Sequence, residues 1–463
     1  MFLNKELNNV DVVCINTLNR KDRKKRIIQQ LKNKKIPFRF YTTKLNKEPK
    51  RGCLESHLNV IQEAINCGNK YLIVFEDDIK IIRSLLPFPK VPENWDMLYF
   101  GGTVQDNLGN YDENWTKVAT WTCHAYIINL QNKEFLADFF KVKDYEKEID
   151  EYLMKNIHYK YNCYMLNPMR IIQRDDYSDI EKQNVSYNFM ESTLEGFIQP
   201  DFENTPTGGK GMKMDFIPPE LLPNVSIITP TYNRRKIFSM AIRNFQMIEY
   251  PADKLEWIII DDTPDIEDSV QDILPKDYRI RYIHIKTKEK INISHKRNMG
   301  VKEAKYDYIV HMDDDDYYLP GSVMFRIKTL MQYSKRGVGC VGCSRTGSYD
   351  IMTNKSNIVS DGFISLSEAS MAYTKKFWEK QQFNELDESS EYRSFIKNRF
   401  REVLDMPYSY IIISITHTKN ITGNLRKLEK NKLINKKTGE DMNFYDTFDE
   451  ETKVFIDYLR KNL

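Results

Sequence analysis

The sequence predicts an α/β protein of two domains in tandem, each built around a mostly parallel sheet. Three observations carry that expectation. The chain has 463 residues, beyond the roughly 250–300 residues at which a single hydrophobic core stops growing. Short apolar strands alternate with helical patterns in both halves, the mark of strand–helix–strand units. Between the halves, Gln199–Pro223 gathers Pro200, Pro206, Gly208, Gly209, Gly211, Pro218, Pro219 and Pro223, a density of breakers that marks a linker. The expected organisation is a first domain over 1–198, a linker over 199–223 and a second domain over 224–424. A charged, helical-pattern extension over 425–463 is expected to pack on the second domain or to mediate an oligomer.

In the first half, apolar runs predict strands near Val10–Ile15, Phe38–Tyr41, Tyr71–Phe75, Met97–Phe100 and Ala125–Ile128. Helical periodicity predicts Arg20–Lys32, Leu54–Cys67 and Lys133–Phe140. In the second half, strands are expected at Val225–Thr229, Leu255–Ile260, Arg281–Ile285, Tyr308–Met312 and Ile411–Ile415. Helices are expected at Arg234–Gln246, Ser294–Ala304, Gly321–Tyr333 and Ser389–Arg399.

Composition narrows the class. A hydrophobic fraction of 41% and a charged fraction of 29% are ordinary for a globular chain. The net charge of +3, from 69 basic and 66 acidic residues, gives no global attraction to nucleic acid or anionic membrane. No apolar run approaches the about 18–20 residues of a membrane helix, and Met1-Phe2-Leu3-Asn4-Lys5 lacks a signal-peptide core. A soluble, cytoplasmic protein is expected, and the 7 scattered cysteines suit a reducing compartment. Cys340 and Cys343, without a second pair or a histidine nearby, read as buried thiols.

One feature occurs twice. Tyr71-Leu-Ile-Val-Phe75 runs into Glu76-Asp77-Asp78, and Tyr308-Ile-Val-His-Met312 runs into Asp313-Asp314-Asp315-Asp316. Carboxyl ends of strands are where ligands bind in open α/β sheets. Adjacent carboxylates repel one another, which raises some of their pKa values. A hard divalent cation relieves the repulsion and favours oxygen ligands shared with substrate phosphates. It also acts as a Lewis acid on a diphosphate leaving group. Each cluster therefore predicts a metal–diphosphate site, against the alternative of a solvated acidic turn.

Specific resemblances follow. In the second half, Val225-Ser-Ile-Ile-Thr-Pro-Thr-Tyr-Asn233, Ile258-Ile-Ile-Asp-Asp262-Thr263, His295-Lys-Arg297-Asn298-Met-Gly300 and Met312–Pro320 occur in the order seen in glycosyltransferase family 2. The chain resembles that family over about Pro223–Asn424, which implies a GT-A fold. By position, the resemblance implies that Pro230, Tyr232 and Asp262 line the base and ribose pocket and that Arg297 stabilises the diphosphate. Asp313 or Asp314 would meet the ribose or metal, and Asp315 would be the principal metal ligand. His417 falls where some members place a late metal-binding histidine, or is a strand-end histidine. The general base that accepts the acceptor proton is expected among Glu391, Asp387 and Glu388, with Glu391 favoured because it precedes a helix. Each could instead be a helix N-terminal charge.

In the first half, Ile15-Asn16-Thr-Leu-Asn-Arg20-Lys-Asp22-Arg23, Gly52-Cys-Leu-Glu-Ser56-His57, Phe75-Glu-Asp-Asp78, Leu98–Gly102, His124-Ala-Tyr126 and Gln173–Ile180 resemble glycosyltransferase family 25. The resemblance implies that Asn16, Arg20 and Arg23 face the nucleotide diphosphate, a role that suits guanidinium forks. It also implies that Glu76, Asp77 and Asp78 bind metal. Lys24, Lys25 and Arg26 read as a solvated helix face. His57 orients substrate or serves the core, and Asp179 is a late-motif residue of undefined role.

Together these imply two GT-A-like, Rossmann-like domains in a bifunctional glycosyltransferase. It would use one Mn²⁺ or Mg²⁺ per module, nucleotide-sugar donors (UDP-sugars by family expectation), and a glycan or glycoprotein acceptor. The alternatives are a single active module with the other as scaffold, or a non-catalytic carbohydrate-binding protein. No nucleic-acid signature accompanies the acidic clusters.

Overall fold

The computed structural model describes residues 8–33, 36–44, 46–145, 148–178, 183–185, 187, 190–204, 210–287, 289–360, 365–387, 391–417 and 443–462. Asp179, Glu388 and the first part of the C-terminal extension lie outside these. The chain divides into two compact units, Met1–Gly196 and Phe197–Leu463.

In the first unit, β1 (Val10–Thr17) lies one strand in from the sheet edge, flanked by β2 (Arg39–Thr43) and β3 (Tyr71–Glu76). Both neighbours pair with it in parallel. Leu72, Ile73, Val74 and Phe75 are fully buried, as expected of a strand covered on both faces. The helix Lys21–Asn33 buries Ile27 and Leu31. The helix Pro49–Asn66 starts five residues before its predicted Leu54, because Pro49 sits in its first turn, where the missing N–H is harmless. Short strands follow: β4 (Ile79–Ile81), β5 (Met97–Tyr99), β6 (Thr103–Asn110), β7 (Trp115–Trp121), β8 (Ala125–Asn129), β9 (Cys163–Leu166), β10 (Ile171–Gln173), β11 (Asp176–Ser178) and β12 (Gln183–Val185). The main sheet has the order β2-β1-β3-β8-β5-β9-β7-β6. It is parallel around β1 and becomes mixed beyond β3, where β8 joins antiparallel. The β6–β7 hairpin escaped prediction because its polar residues break the alternation of apolar positions.

The second unit begins at Phe197, just ahead of the breaker-rich stretch. There β13 (Phe202–Asn204) pairs antiparallel with β14 (Lys210–Met212), and Met212 joins the core of this unit. The described residues of the stretch thus lie within the second unit. The further strands are β15 (Val225–Thr231), β16 (Leu255–Asp261), β17 (Ile280–His284), β18 (Tyr308–His311), β19 (Tyr317–Tyr318), β20 (Cys340–Gly342), β21 (Arg345–Asp350), β22 (Lys355–Ser360), β23 (Ala372–Thr374), β24 (Val403–Asp405) and β25 (Ile412–Thr416). The main sheet runs β17-β16-β15-β18-β23-β20-β24, and β19-β25-β21-β22 form a second sheet. The first four strands of the main sheet are parallel. The α/β class with large parallel portions is as the sequence predicts.

Pro230 sits near the end of a central strand without a missing bond. β15 pairs with β18 only through Ile228, so the lost N–H falls beyond that ladder. Helix Ile293–Glu303 lies against β15 at Gly300, where a Cβ would come within 2.5 Å of Ile228 Cγ2. The glycine permits the close helix–strand approach. The predicted helix Ser389–Arg399 is reduced among the described residues to Tyr392–Phe395. The C-terminal helix Glu450–Asn462 buries Ile456 and Leu459 beside Tyr349 and Phe448. The described part of the extension, 443–462, thus packs within the second unit. All seven cysteines are free, and Cys340 and Cys343 are buried thiols. No helix among the described residues is long and apolar enough to cross a membrane.

Candidate active site

In the first unit, β3 delivers Glu76 to the sheet edge and the chain turns through Asp77 and Asp78. Alternation along an extended chain sends neighbouring side chains apart, and their partners differ accordingly. Asp77 Oδ2 accepts from Asn16 Nδ2 at 2.6 Å. Arg23 Nη1 donates to Asp77 and to Asp78, each at 3.2 Å. Arg23 Nη2 also donates to the Tyr177 carbonyl at 2.7 Å. Arg20 is 3.3 Å from both Asp22 and Asp176. Of the two predicted diphosphate arginines, Arg23 engages the carboxylates of the acid cluster, whereas Arg20 pairs with Asp22 and Asp176.

Glu76 turns the other way, with Oε1 at 3.1 Å from His57 Nε2. Burial pushes its carboxyl up, but the His57 hydrogen bond and charge outweigh that and hold it below its ordinary value. Burial, and then the Glu76 charge, push Asp78 up to about 7. Asp78 Oδ1 is buried without a hydrogen-bond partner. An uncompensated carboxylate oxygen beside a second carboxylate fits a hard divalent cation. Asp77 and Asp78 are the residues that would hold it.

In the second unit, the carboxyl ends of β15, β16 and β18 converge. Asp261 anchors its loop, accepting from the Thr263 amide at 2.9 Å, the Thr263 hydroxyl at 2.6 Å and Tyr282 Oη at 2.9 Å. Asp262, the predicted base-pocket residue, takes the Lys296 ammonium at 2.6 Å on one oxygen and the Ile291 amide at 2.5 Å on the other. Lys296 also bonds the Thr231 carbonyl at 3.0 Å. The ammonium groups of Lys290 and Lys296 stand 5.4 and 5.9 Å from the centroid of the Tyr232 ring, so Pro230, Tyr232 and Asp262 share one end of the sheet. Asn233 takes φ 52°, a left-handed conformation that asparagine tolerates.

The four-aspartate run splits its partners. Asp313 accepts both Nη1 and Nη2 of Arg297, at 3.0 and 3.1 Å. Asp314 accepts the Thr231 hydroxyl at 2.6 Å. Burial, and then the Asp315 charge, push it up to about 7. Asp315 Oδ2 lies 3.2 Å from His417 Nε2 and 3.5 Å from Arg234. Asp316 accepts the Ile415 amide at 2.9 Å, which joins the second sheet to the acid loop. An imidazole nitrogen and a carboxylate oxygen meeting at one point fit a cation such as Mn²⁺. A cavity of about 200 Å³ opens beside them, lined by Asn233, Arg234, Arg235, Lys236 and His417 among others.

Arg297 is 1% exposed, and its Nε stands 3.6 Å from Glu391 Oε1. Glu391 is therefore linked through Arg297 to Asp313. Glu391 in turn faces Glu368, whose carboxyl is pushed up to about 8 by burial and by the Glu391 charge. Asp387 is placed differently. Its carboxylate accepts from Asn384 at 2.8 Å and its carbonyl from Asn292 at 2.7 Å, so it holds in place the residue that caps helix Ile293–Glu303. The sequence reading passed over Lys296, Thr231, Arg234 and Glu368. Lys296 carried a signal, standing beside Arg297 in its motif, whereas Glu368 carried none.

Residues 226–404 match the family described as Glycosyl transferase family 2. The chain is 28% identical over 179 residues to the GalNAc(5)-diNAcBac-PP-undecaprenol beta-1,3-glucosyltransferase of Campylobacter jejuni, covering 35% of this chain and 56% of that protein. It is 33% identical over 125 residues to the uncharacterized glycosyltransferase EpsJ of Bacillus subtilis, over 27% of this chain and 34% of that one. The chain thus spans about half or less of these relatives' length. Among solved structures it is similar to the mannosyltransferase PcManGT from Pyrobaculum calidifontis in complex with GDP-Man and Mn²⁺, at a TM-score of 0.35 and 16% identity, over 45% of this chain and 61% of that one. The family 2 match at residues 226–404 falls within the second unit.

Proposed function

We propose that the chain is a metal-dependent glycosyltransferase with two transfer modules, taking sugars from nucleotide-sugar donors, UDP-sugars foremost, to a glycan or glycoprotein acceptor. The observation that carries this reading is the convergence of Asp262, Lys296, Arg297, Asp313–Asp315 and His417 at one sheet end of the family 2 domain. In that module Asp315 and His417, with Asp313 or Asp314, hold Mn²⁺ or Mg²⁺. When bound, the cation supplies Lewis-acid neutralisation of the diphosphate leaving group. Pro230, Tyr232 and Asp262 line the base and ribose pocket, and Lys296 fixes the Asp262 carboxylate. Arg297 braces Asp313 on the diphosphate side. Glu391, held at the far end of Arg297, accepts the proton of the attacking hydroxyl, with Asp387 and Glu388 as alternatives.

In the first unit, the family 25 resemblance and the uncompensated Asp78 oxygen support a second donor site. There Asn16, Arg20 and Arg23 meet the diphosphate, and Asp77 and Asp78 meet the metal, with Glu76 turned away toward His57. A glycan acceptor is supported by the name of the Campylobacter relative, which specifies an undecaprenol-diphosphate-linked glycan. A screen of nucleotide sugars for Mn²⁺-dependent hydrolysis tests the reading. Turnover of at least one donor, lost in Asp315→Ala, supports it. No turnover of any donor with either metal overturns it.

A further inference from the structure

Three metal-ligand atoms of different chemistry meet in the first unit on the side of β3 facing away from Asp77. Cys53 and His57 are four residues apart on helix Pro49–Asn66, one turn that stacks them on the same face. Cys53 Sγ lies 3.7 Å and His57 Nε2 3.1 Å from Glu76 Oε1. All three ligand atoms fall within 4.8 Å of one another. Bonds of about 2.0–2.3 Å from a tetrahedral Zn²⁺ to nitrogen, oxygen and sulfur place such ligands roughly 3.4–3.6 Å apart, close to the separations found here. The far ring nitrogen, Nδ1, is 2.9 Å from Tyr126 Oη, and an outer partner of this kind orients a metal-bound histidine. His57 is fully buried, whereas Cys53 and Glu76 are partly open, which leaves a side for the cation to enter.

We propose that Cys53, His57 and Glu76 form a binding site for a thiophilic divalent cation, Zn²⁺ by its chemistry, separate from the oxygen-only Asp77–Asp78 pair. A sulfur–nitrogen–oxygen set favours Zn²⁺ over Mg²⁺ or Mn²⁺. Three protein ligands leave a fourth position for water or a ligand. Uptake releases the Cys53 thiol proton and requires the imidazole to carry its hydrogen on Nδ1, where the Tyr126 oxygen accepts it. The thiolate and the Glu76 carboxylate then balance the two positive charges. This site stands on the first unit alone and does not depend on the transferase reading.

Co²⁺ added to the full chain is the probe, because a thiolate ligand produces a sulfur-to-cobalt charge-transfer absorption that the Asp77–Asp78 and Asp313–Asp315 oxygens cannot give. The band is expected with the native chain and with Cys67→Ser, which removes an exposed thiol at the end of the same helix. It is expected to vanish in Cys53→Ser and on addition of Zn²⁺. Glu76→Gln, checked for folding by circular dichroism, should weaken Co²⁺ binding at least tenfold. Absence of the band in the native chain, its survival in Cys53→Ser, or its loss in Cys67→Ser overturns the proposal.

Discussion

The two units resolve the same electrostatic problem differently. Each ends a buried strand in adjacent carboxylates, and each sets an arginine against them. In the first unit a single guanidinium nitrogen, Arg23 Nη1, bridges Asp77 and Asp78 at 3.2 Å each. One Asp78 oxygen is left buried and unsatisfied. In the second unit the load is shared: Arg297 takes Asp313, Thr231 takes Asp314, and His417 with Arg234 takes Asp315. Adjacent acids in sequence thus become separate sites in space. A cation is invited where a carboxylate oxygen lacks a partner or where an imidazole nitrogen meets a carboxylate.

The largest effects should come from the carboxylates themselves. Asp315→Ala is expected to lower donor hydrolysis by the second module on the order of 10²–10³-fold, the scale of losing one preorganised charge-stabilising group. Asp78→Ala should do the same for the first module. If each variant abolishes a different sugar linkage, both modules transfer. If Asp78→Ala leaves every linkage intact, the first unit is a scaffold and the comparison reduces to one active site.

Arginine removal separates the units next. Arg297→Ala strands the buried Glu391 and the partly buried Asp313 and should destabilise the second unit by about 3–5 kcal/mol in denaturant unfolding. Arg23 is the more accessible of the two, at 8% exposure against 1%. Arg23→Ala should therefore have the smaller effect, and added Mn²⁺ should recover part of it. An equal loss in both, with no rescue by metal, would contradict the distinction drawn between them.

A pH test sharpens the account of the second unit. Glu368 keeps its proton up to about 8 when folded, against 4.5 as an ordinary carboxyl. The folded value is the higher, so its contribution is full below 4.5 and is lost as pH rises toward about 8. Glu368→Gln, which cannot ionise, should flatten this window. Urea unfolding should find the variant more stable than the native chain above that range by roughly 1–2 kcal/mol. Gly300→Ala has a comparable effect of opposite sign, costing about 1–3 kcal/mol by forcing the helix off Ile228. A neutral outcome in thermal melts would show that Ile228 gives way.

Much of the site was legible because its chemistry is local. Acidic runs after buried-type strands, and the Lys296-Arg297-Asn298-Met-Gly300 segment, can be read without knowing the fold. What was not legible depends on contacts between distant segments. Arg297 and Asp313 belong to different elements, and their bidentate pairing needs helix Ile293–Glu303 docked on β15. Glu368 gains its role only when a loop far along the chain faces Glu391. Asp387 reads in sequence as a base candidate, yet its neighbour Asn384 and the capping of a helix claim it. Glu76 belongs to the acidic run by sequence, but strand alternation hands it to Cys53 and His57. The β6–β7 hairpin was hidden because its polar residues break the expected periodicity, whereas β25 read as a strand but its place in a separate sheet depends on pairing with the distant β19 and β21.

The central claim is that each unit grips a divalent cation through its own carboxylates. Calorimetric titration of Mn²⁺ in the presence of UDP, at pH 8, where Asp78 and Asp314 with values near 7 are ionised, tests it most directly. The account predicts one cation per unit, with Asp78→Asn removing the first and Asp315→Asn the second. Binding that is absent, or that survives both substitutions together, would contradict it.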